Sequence, residues 1–371
     1  MTWLLWILLI CVSLHSFSQP VIPAPDHIVV LIMENHSYNQ IIGSKEAPTI
    51  NTLIISSNTA LFTQSYGLAY PSQPNYVSFF SGCNQGIIDD TSPKTIPYTS
   101  ENLGRQLLDA GKSFISYAED LPQAGYDGET AGLYVRRHNP AVYWMGNGVN
   151  QLPPSVIQPF TSFPENFALL PTVCFVVPNN QNNMHDGSIL QGDQWINSHL
   201  KSYVEWAKTH NSLFVLTFDE DDKSQDNHVA TLLAGEMVRP GNYSQKINHI
   251  NILRTIEEMY GLPYACEASK ADPLTGCWNT PDSTSVNETT QQIKVHVDPV
   301  RQKLTVLISK DYLKLDLKFT LMNIYGEIVK EASIQSSQTT LHTNEFSAGV
   351  YIYKLSGNNR LLHKGKIVIP S

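Results

Sequence analysis

"AYPSQPNYVSFFSG", residues 69–82, sets one serine between two prolines at the head of a run with helical character. Serine is a favoured helix cap, and proline fits in or just before a first helical turn. Read alone, the stretch is punctuation. It also puts a hydroxyl, Ser72, at the positive end of a helix, where free backbone N–H groups can hold phosphate oxygens. The residues on either side decide between these readings, and with them the fold.

Five short apolar runs read as buried strands of a parallel sheet: residues 27–33, 113–118, 172–177, 212–218 and 229–235. Between them, residues 100–111 and 192–210 show helical spacing, with Leu, Trp and Tyr on one face. Residues 248–263 form another helical pattern, closed by Gly261 and Pro263 in the expected stop order. Strand and helix in alternation predict an α/β fold with helices on both faces of the sheet.

The residues just past the strands carry the chemistry. The first run leads into Glu34-Asn35, the second into Glu119-Asp120, the third into Asn179 and then His185-Asp186, the fourth into Asp219-Glu220-Asp221-Asp222. In open α/β sheets the site lies beyond the carboxyl ends of the strands. One acidic residue there is ordinarily a solvated loop residue, but four strands delivering carboxylates, amides and a histidine to one edge predict a site.

A serine hydroxyl is a poor nucleophile at neutral pH and needs activation. A divalent cation held by Glu34, Asn35, Asp219 and Glu220 supplies it, and also offsets charge on a transferring phosphoryl group. Oxygen ligands suit Mg²⁺, Ca²⁺ or Mn²⁺, whereas adding His185 or His228 favours zinc or iron, so the metal's identity stays open. Asn75 and Asp186 are placed with the phosphate oxygens, and His185 or His138 as a phosphate contact or the acid for the departing oxygen. Glu119 is expected to orient another group, His249 to start its helix, and Arg136-Arg137 to meet an anionic substrate or solvate a loop. Residues 120–170, rich in Tyr, Trp, Asn, Gly and Pro, are expected to form a lid or pocket wall.

Length and composition bound the rest. The 371 residues suffice for two domains, and 42% hydrophobic with 15% charged residues suits a globular protein. A net charge of −9 without a Lys/Arg cluster excludes nucleic acid as a partner. Residues 1–18 read as a signal peptide: residues 3–14 are apolar, too short to span a bilayer comfortably, and Ser16 and Ser18 precede a cleavage point before Gln19. No Lys or Arg precedes the apolar stretch, a departure from the usual signal. Ile10 is not the small residue a lipid anchor at Cys11 requires, and no later run is long and apolar enough for stable membrane insertion. Export places the other cysteines in an oxidising compartment. Cys266 and Cys277 bracket a polar loop and are expected to pair, while Cys83 and Cys174 pair or stay as small buried hydrophobes.

The expected domains are a catalytic domain at 19–283, a polar linker at 284–292 and a C-terminal module at 293–371. In that module alternating short runs such as "KLTVLI" and "GVYIYKLSG" predict a small antiparallel β-sandwich.

Together "MENHSYNQIIG", "APTINTL", "YPSQPNYVSFFSG", "VPNNQNNMHDGSI" with "GDQWI", and "TFDEDD" through "NHINILRTIEEMYGLP" resemble the phosphoesterase family. That family holds bacterial phospholipases C and secreted acid phosphatases, within the alkaline phosphatase superfamily. The resemblance spans residues 26–265. It implies a three-layer alkaline-phosphatase-like α/β domain with a mostly parallel sheet. It places Ser72 as nucleophile, Glu34, Asn35, Asp219 and Glu220 at the metal, and His138 and His185 at the phosphate. Asn183 departs from the family, which often has Asp before Met-His. Sulfatases of the same superfamily carry Cys/Ser-x-Pro-x-Arg; here Tyr76 stands where that Arg would be. The C-terminal module resembles the sorting domain of type IX secretion, on "VDPVRQKLTV", "LMNIYGEIV" and the run from Leu341 to Ile369. Asp298-Pro299 replaces the more usual Asn-Pro. An accessory carbohydrate-binding β-domain is the other reading of the module. The resemblance implies a secreted or cell-surface protein that engages the type IX machinery. The expected activity is hydrolysis of small phosphate monoesters. The alternatives are a phosphodiesterase or phospholipase C, and a non-catalytic surface protein binding phosphorylated ligands.

Overall fold

A computed structural model describes residues 22–279, 293–298, 303–308, 310–323, 326–358 and 360–369. The expected signal peptide and the linker at 284–292 lie outside the described residues.

The first apolar run is strand β1 (His27–Met33), buried at all but its first residue. It lies mid-sheet because every side chain it offers, on either face, is apolar. Val29, Leu31 and Met33 pack on one side and Ile28, Val30 and Ile32 on the other, each in a separate core. The other strands of its sheet in chain order are β2 (Thr59–Tyr66), β3 (Phe114–Ala118), β4 (Ile157–Pro159), β5 (Val173–Val177), β6 (Ser212–Phe218), β7 (His228–Ala234), β8 (Gly241–Tyr243) and β9 (Ile247–Asn248), while Thr130–Ala131 and Tyr134–Val135 pair as a separate two-stranded ribbon. The nine-stranded sheet has the order β8-β2-β7-β6-β1-β5-β3-β4, with β9 also on β2. β1 runs parallel to β5 and β6. Only β7 runs against its neighbours, β2 and β6.

Helices cover both faces. Helix α1 (Pro48–Ile54), α4 (Ile189–His199) and α5 (Lys201–Ala207) close the core under Val29 and Leu31. Helix α2 (Ser72–Ser81), α3 (Leu103–Asp109) and α6 (His249–Tyr260) close the other. The result is a three-layer α/β domain with a mostly parallel sheet.

Several expectations need correction. β2 was not anticipated: "TALFTQSY" mixes polar and apolar residues without clean alternation, and its place beside β7 is set by tertiary pairing. The run at 229–235 is a strand, but an antiparallel one, because the short 219–227 connection returns the chain directly beside β6. The single helix expected over 192–210 is two, α4 and α5, divided at Leu200. Within residues 120–170, expected to form a lid or pocket wall, Tyr134, Tyr143 and Trp144 are fully buried and Trp144 packs 5.5 Å from Phe80 of α2, so this part is a packed wall and not a lid. The cysteine pairing also differs. Cys83 is bonded to Cys266, while Cys174 in β5 and Cys277 are free and buried. Gly82 explains the contact: it ends α2 at φ 75°, and a Cβ there would lie 2.1 Å from the Ala265 carbonyl oxygen. With no side chain in the way, the end of α2 lies flush against the loop after α6.

The chain divides near residue 281 into two compact units. The second unit has a three-stranded antiparallel sheet (Ile293–Asp298, Lys303–Ile308, Gln338–His342) and a four-stranded one (Ile328–Ser333, Leu317–Asn323, Gly349–Gly357, Arg360–Ile369). Leu304, Val306, Phe319, Leu321 and Leu355 fill its core. No helix among the described residues is long and apolar enough to cross a membrane.

Candidate active site

β1 and β6 pair in register to their last residues, Met33 opposite Phe218. Their next residues, Glu34 and Asp219, therefore emerge side by side. The Asp219 N–H donates to the Met33 carbonyl at 3.0 Å, prolonging the pairing by one bond. Asn35 then takes a left-handed turn at φ 52°, which Asn tolerates better than most residues. Its N–H donates to Asp219 Oδ1 at 3.0 Å.

α2 brings Ser72 to this pair. All ten residues of the helix are buried, and Phe79 and Phe80 pack on Phe175 at 5.5 and 5.6 Å between ring centres. Ser72 Oγ donates to Glu34 Oε2 at 3.0 Å and lies 3.3 Å from Asn35 Oδ1. One turn on, the Tyr76 hydroxyl donates to the other oxygen, Glu34 Oε1. Tyr76 was not singled out in the sequence; its position four residues after Ser72 on one helix was the available signal.

These carboxylates sit where charge is costly. Burial, then the neighbouring Asp219, pushes Glu34 well above the usual carboxylate range. Burial lifts Asp219 to about 6, and burial with Asp219 nearby lifts Glu220 to about 8. Asp219 Oδ2 is buried without a hydrogen-bond partner among the described residues. An all-oxygen set with an orphaned carboxylate oxygen fits a hard divalent cation. Glu220 adds to this crowding, raising Glu34 and raised by Asp219, while its Oε2 accepts from Asn75 Nδ2 at 3.3 Å. A cation among these carboxylates would also meet the neutral oxygens of Asn35 and Ser72.

His138 and His185 close the other side, their ring centres 5.8 Å apart. Asn183 Oδ1 accepts from the His185 N–H at 2.8 Å, so its amide nitrogen faces His138 Nδ1 at 3.2 Å. That bond makes Nδ1 an acceptor and leaves the His138 proton on Nε2, 3.5 Å from Glu34 Oε1 and without a hydrogen-bond partner among the described residues. Burial, then Arg137 and His185, holds His138 well below the usual histidine range, in its neutral form. The departure at Asn183 thus selects a tautomer.

Three expectations change. Asn75 was placed with the phosphate, but its Oδ1 accepts from the N–H groups of Leu68 and Ala69 at 2.8 and 3.0 Å and its Nδ2 donates to the Ala69 carbonyl at 2.8 Å. It is a clamp on the loop entering α2, with its amide already used. Asp186 was also placed with the phosphate, yet it lies 2.6 Å from His185 Nδ1 and accepts from Asn180 Nδ2, so it orients the imidazole. A carboxylate facing a phosphate would repel it. His228 was placed with the metal, but the structure stacks it between Tyr38 and Tyr66, at 4.5 and 5.1 Å, with Nε2 on the Thr63 carbonyl at 3.0 Å. Glu119 orients, as expected: it accepts from the Asn179 N–H, Asn182 Nδ2 and Trp195 Nε1. His249 opens α6, with its Nε2 2.9 Å from the Phe218 carbonyl and its Nδ1 buried without a hydrogen-bond partner among the described residues.

A serine at a helix entrance, facing buried carboxylates beyond a mostly parallel sheet, suits a hydrolase acting on phosphoester bonds. The chain belongs to the phosphoesterase family, whose profile it matches over residues 47–263. Residues 294–370 match the secretion system C-terminal sorting domain, which marks a secreted or cell-surface protein of the type IX route. A phosphatidylinositol-3-phosphatase of Mycobacterium tuberculosis is 44% identical over 262 residues, 69% of this chain and 84% of that protein. A phosphate-repressible acid phosphatase of Penicillium chrysogenum is 31% identical over 55% of this chain and 52% of its own length. The chain thus spans about half of that fungal relative. A solved alkaline phosphatase superfamily protein from Vibrio parahaemolyticus superposes with TM-score 0.45 at 13% identity, over 86% of this chain and 83% of that one.

Proposed function

We propose that the protein is a metal-dependent serine phosphomonoesterase that forms and then hydrolyses a phosphoserine at Ser72. The observation that carries this reading is the Ser72 hydroxyl, 3.0 Å from Glu34 and at the first turn of a buried helix. Glu34 Oε2 already accepts the hydroxyl hydrogen and would take it as Oγ bonds to phosphorus. The ester oxygen leaves with a proton from His185, which Asp186 steadies from behind. Water, passing a proton to His185, then attacks the phosphoserine, and Ser72 Oγ leaves with the proton held by Glu34, releasing phosphate. His138 would donate its free Nε2–H to a phosphoryl oxygen. Glu34, Asn35, Asp219 and Glu220 would hold a divalent cation, which lowers the serine pKa and offsets phosphoryl charge.

The substrate class includes phosphate monoesters borne on lipids. The 44% identity to a phosphatidylinositol-3-phosphatase supports that extension.

The test is turnover of p-nitrophenyl phosphate and bis-p-nitrophenyl phosphate from acid to alkaline pH. Ser72→Ala is expected to lose about 10³-fold or more in kcat, and chelation to abolish turnover until a divalent ion is restored. Turnover surviving in Ser72→Ala overturns the nucleophile. A preference for the diester moves the enzyme to the phosphodiesterase and phospholipase C side.

A further inference from the structure

Arg137 is a cation drawn into this ring of carboxylates and histidines that has no part in the proposed reaction. It follows the ribbon at Tyr134–Val135 and is adjacent to His138, so the segment that delivers the histidine also delivers the guanidinium. Its side chain is one-quarter exposed, yet Nε is buried and has no hydrogen-bond partner among the described residues. Nη2 lies 3.5 Å from His185 Nε2, a weak contact. The remaining contact is an ion pair at 3.9 Å between Nε and Asp90 Oδ2.

Asp90 explains what the guanidinium is for. Its Oδ1 accepts from the Gln73 N–H at 3.0 Å. Gln73 directly follows Ser72 in the first turn of α2, so that N–H is one of the helix's free donors. One carboxylate therefore bridges a backbone donor beside Ser72 and the Arg137 guanidinium. Both are donors that an anion attacked by Ser72 would meet. The segment carrying Asp90 is pinned by Gln73, whose Nε2 donates to the Asp89 and Thr91 carbonyls at 3.2 and 3.0 Å. Arg136, by contrast, is spent on structure, donating to the Asp127 carbonyl and Ser92 Oγ at 2.7 and 3.0 Å.

We infer that Arg137 is the specificity-determining residue that selects dianionic phosphate monoesters over monoanionic diesters, with Asp90 as the counter-ion that the phosphoryl group displaces. The inference rests on the phosphomonoesterase reading and adds the residue that sets its selectivity. A guanidinium presents several donors to phosphoryl oxygens, and its attraction grows with their charge. A diester has one fewer charged oxygen to offer and gains less.

The experiment measures kcat/KM for p-nitrophenyl phosphate and bis-p-nitrophenyl phosphate with the full-length enzyme, together with inhibition by inorganic phosphate. Wild type, Arg137→Ala, Arg137→Lys and Asp90→Asn are compared. Arg137→Ala is expected to lower monoester kcat/KM by about 100-fold and diester kcat/KM by less than about tenfold, with a matching rise in the phosphate inhibition constant. Arg137→Lys keeps the charge and is expected to fall between wild type and Ala, which separates lost charge from lost packing. Asp90→Asn is expected to tighten phosphate inhibition. Equal losses on both esters in Arg137→Ala and Arg137→Lys would overturn the inference, as would weaker phosphate inhibition in Asp90→Asn. A wild-type enzyme without monoester turnover instead overturns the underlying reading.

Discussion

Glu34 is the residue on which the site turns. Both of its oxygens are committed, one to Ser72 and one to Tyr76, and it is fully buried. Removing the Tyr76 hydroxyl leaves the ring in place but frees Glu34 to rotate away from Ser72. Tyr76→Phe is expected to lower kcat by about tenfold with little change in KM, since a hydrogen bond to a charged group contributes roughly 1.5–3 kcal/mol. Steady-state kinetics beside a near-ultraviolet dichroism spectrum checks this; a raised KM at unchanged kcat would contradict it. At this scale the sequence was partly legible. That Glu34, Asn35, Asp219 and Ser72 meet was readable because strand ends and a helix start fix where such residues point; the roles given to them are proposals. Asn75, Asp186 and His228 were misread because their type suits a phosphate or metal site equally well. What an amide or an imidazole does depends on which backbone carbonyl lies nearest, and that is a tertiary fact.

Among the elements, α2 bears the greatest burden. It carries Ser72 at one end and is fastened at the other by Cys83–Cys266, which joins positions 183 residues apart. Cross-linking so long a span restricts the unfolded chain. Replacing both cysteines by alanine is expected to cost about 2–4 kcal/mol, seen as a lower denaturation midpoint, whereas Cys174→Ala should act only through lost packing. Equal midpoints for wild type and the double variant would refute the bond's structural role. The strands of the parallel core were legible because each is apolar on both faces. β2 was not, since its place depends on β7 returning beside β6. The pairing of Cys83 with Cys266 was hidden for a similar reason: spacing favoured the nearer Cys277, and only the packing of α2 against α6 brings the distant partner in.

Across the whole molecule, stability should vary with pH through a group far from the chemistry. Glu257 on α6 is buried, and burial raises it to about 8. Its Oε1 accepts from the Ala265 N–H at 2.8 Å, while Oε2 and Gln106 Oε1 both lack a donor among the described residues. Burial favours the neutral, protonated carboxyl here. The folded protein holds this proton up to about pH 8, whereas an unfolded chain releases it near 4.5. Between those values the folded state binds more protons, so this contribution to stability weakens as pH rises. Glu257→Gln cannot ionise. It is expected to melt with wild type near pH 5 and roughly 4 °C or more above it at pH 8.5. Melting curves at the two pH values decide; parallel pH slopes in the two proteins would rule the mechanism out.

The cross-link behind α2 also ties maturation to place. Thiols stay reduced in the cytoplasm, so Cys83 and Cys266 can close only after the chain has left it. Before export, the helix that presents Ser72 lacks its far anchor. A chain delayed inside the cell would hold this serine in a looser frame, amid the cytoplasm's own phosphate esters. The bond thus acts as a timing device that lets the frame around Ser72 firm up only outside.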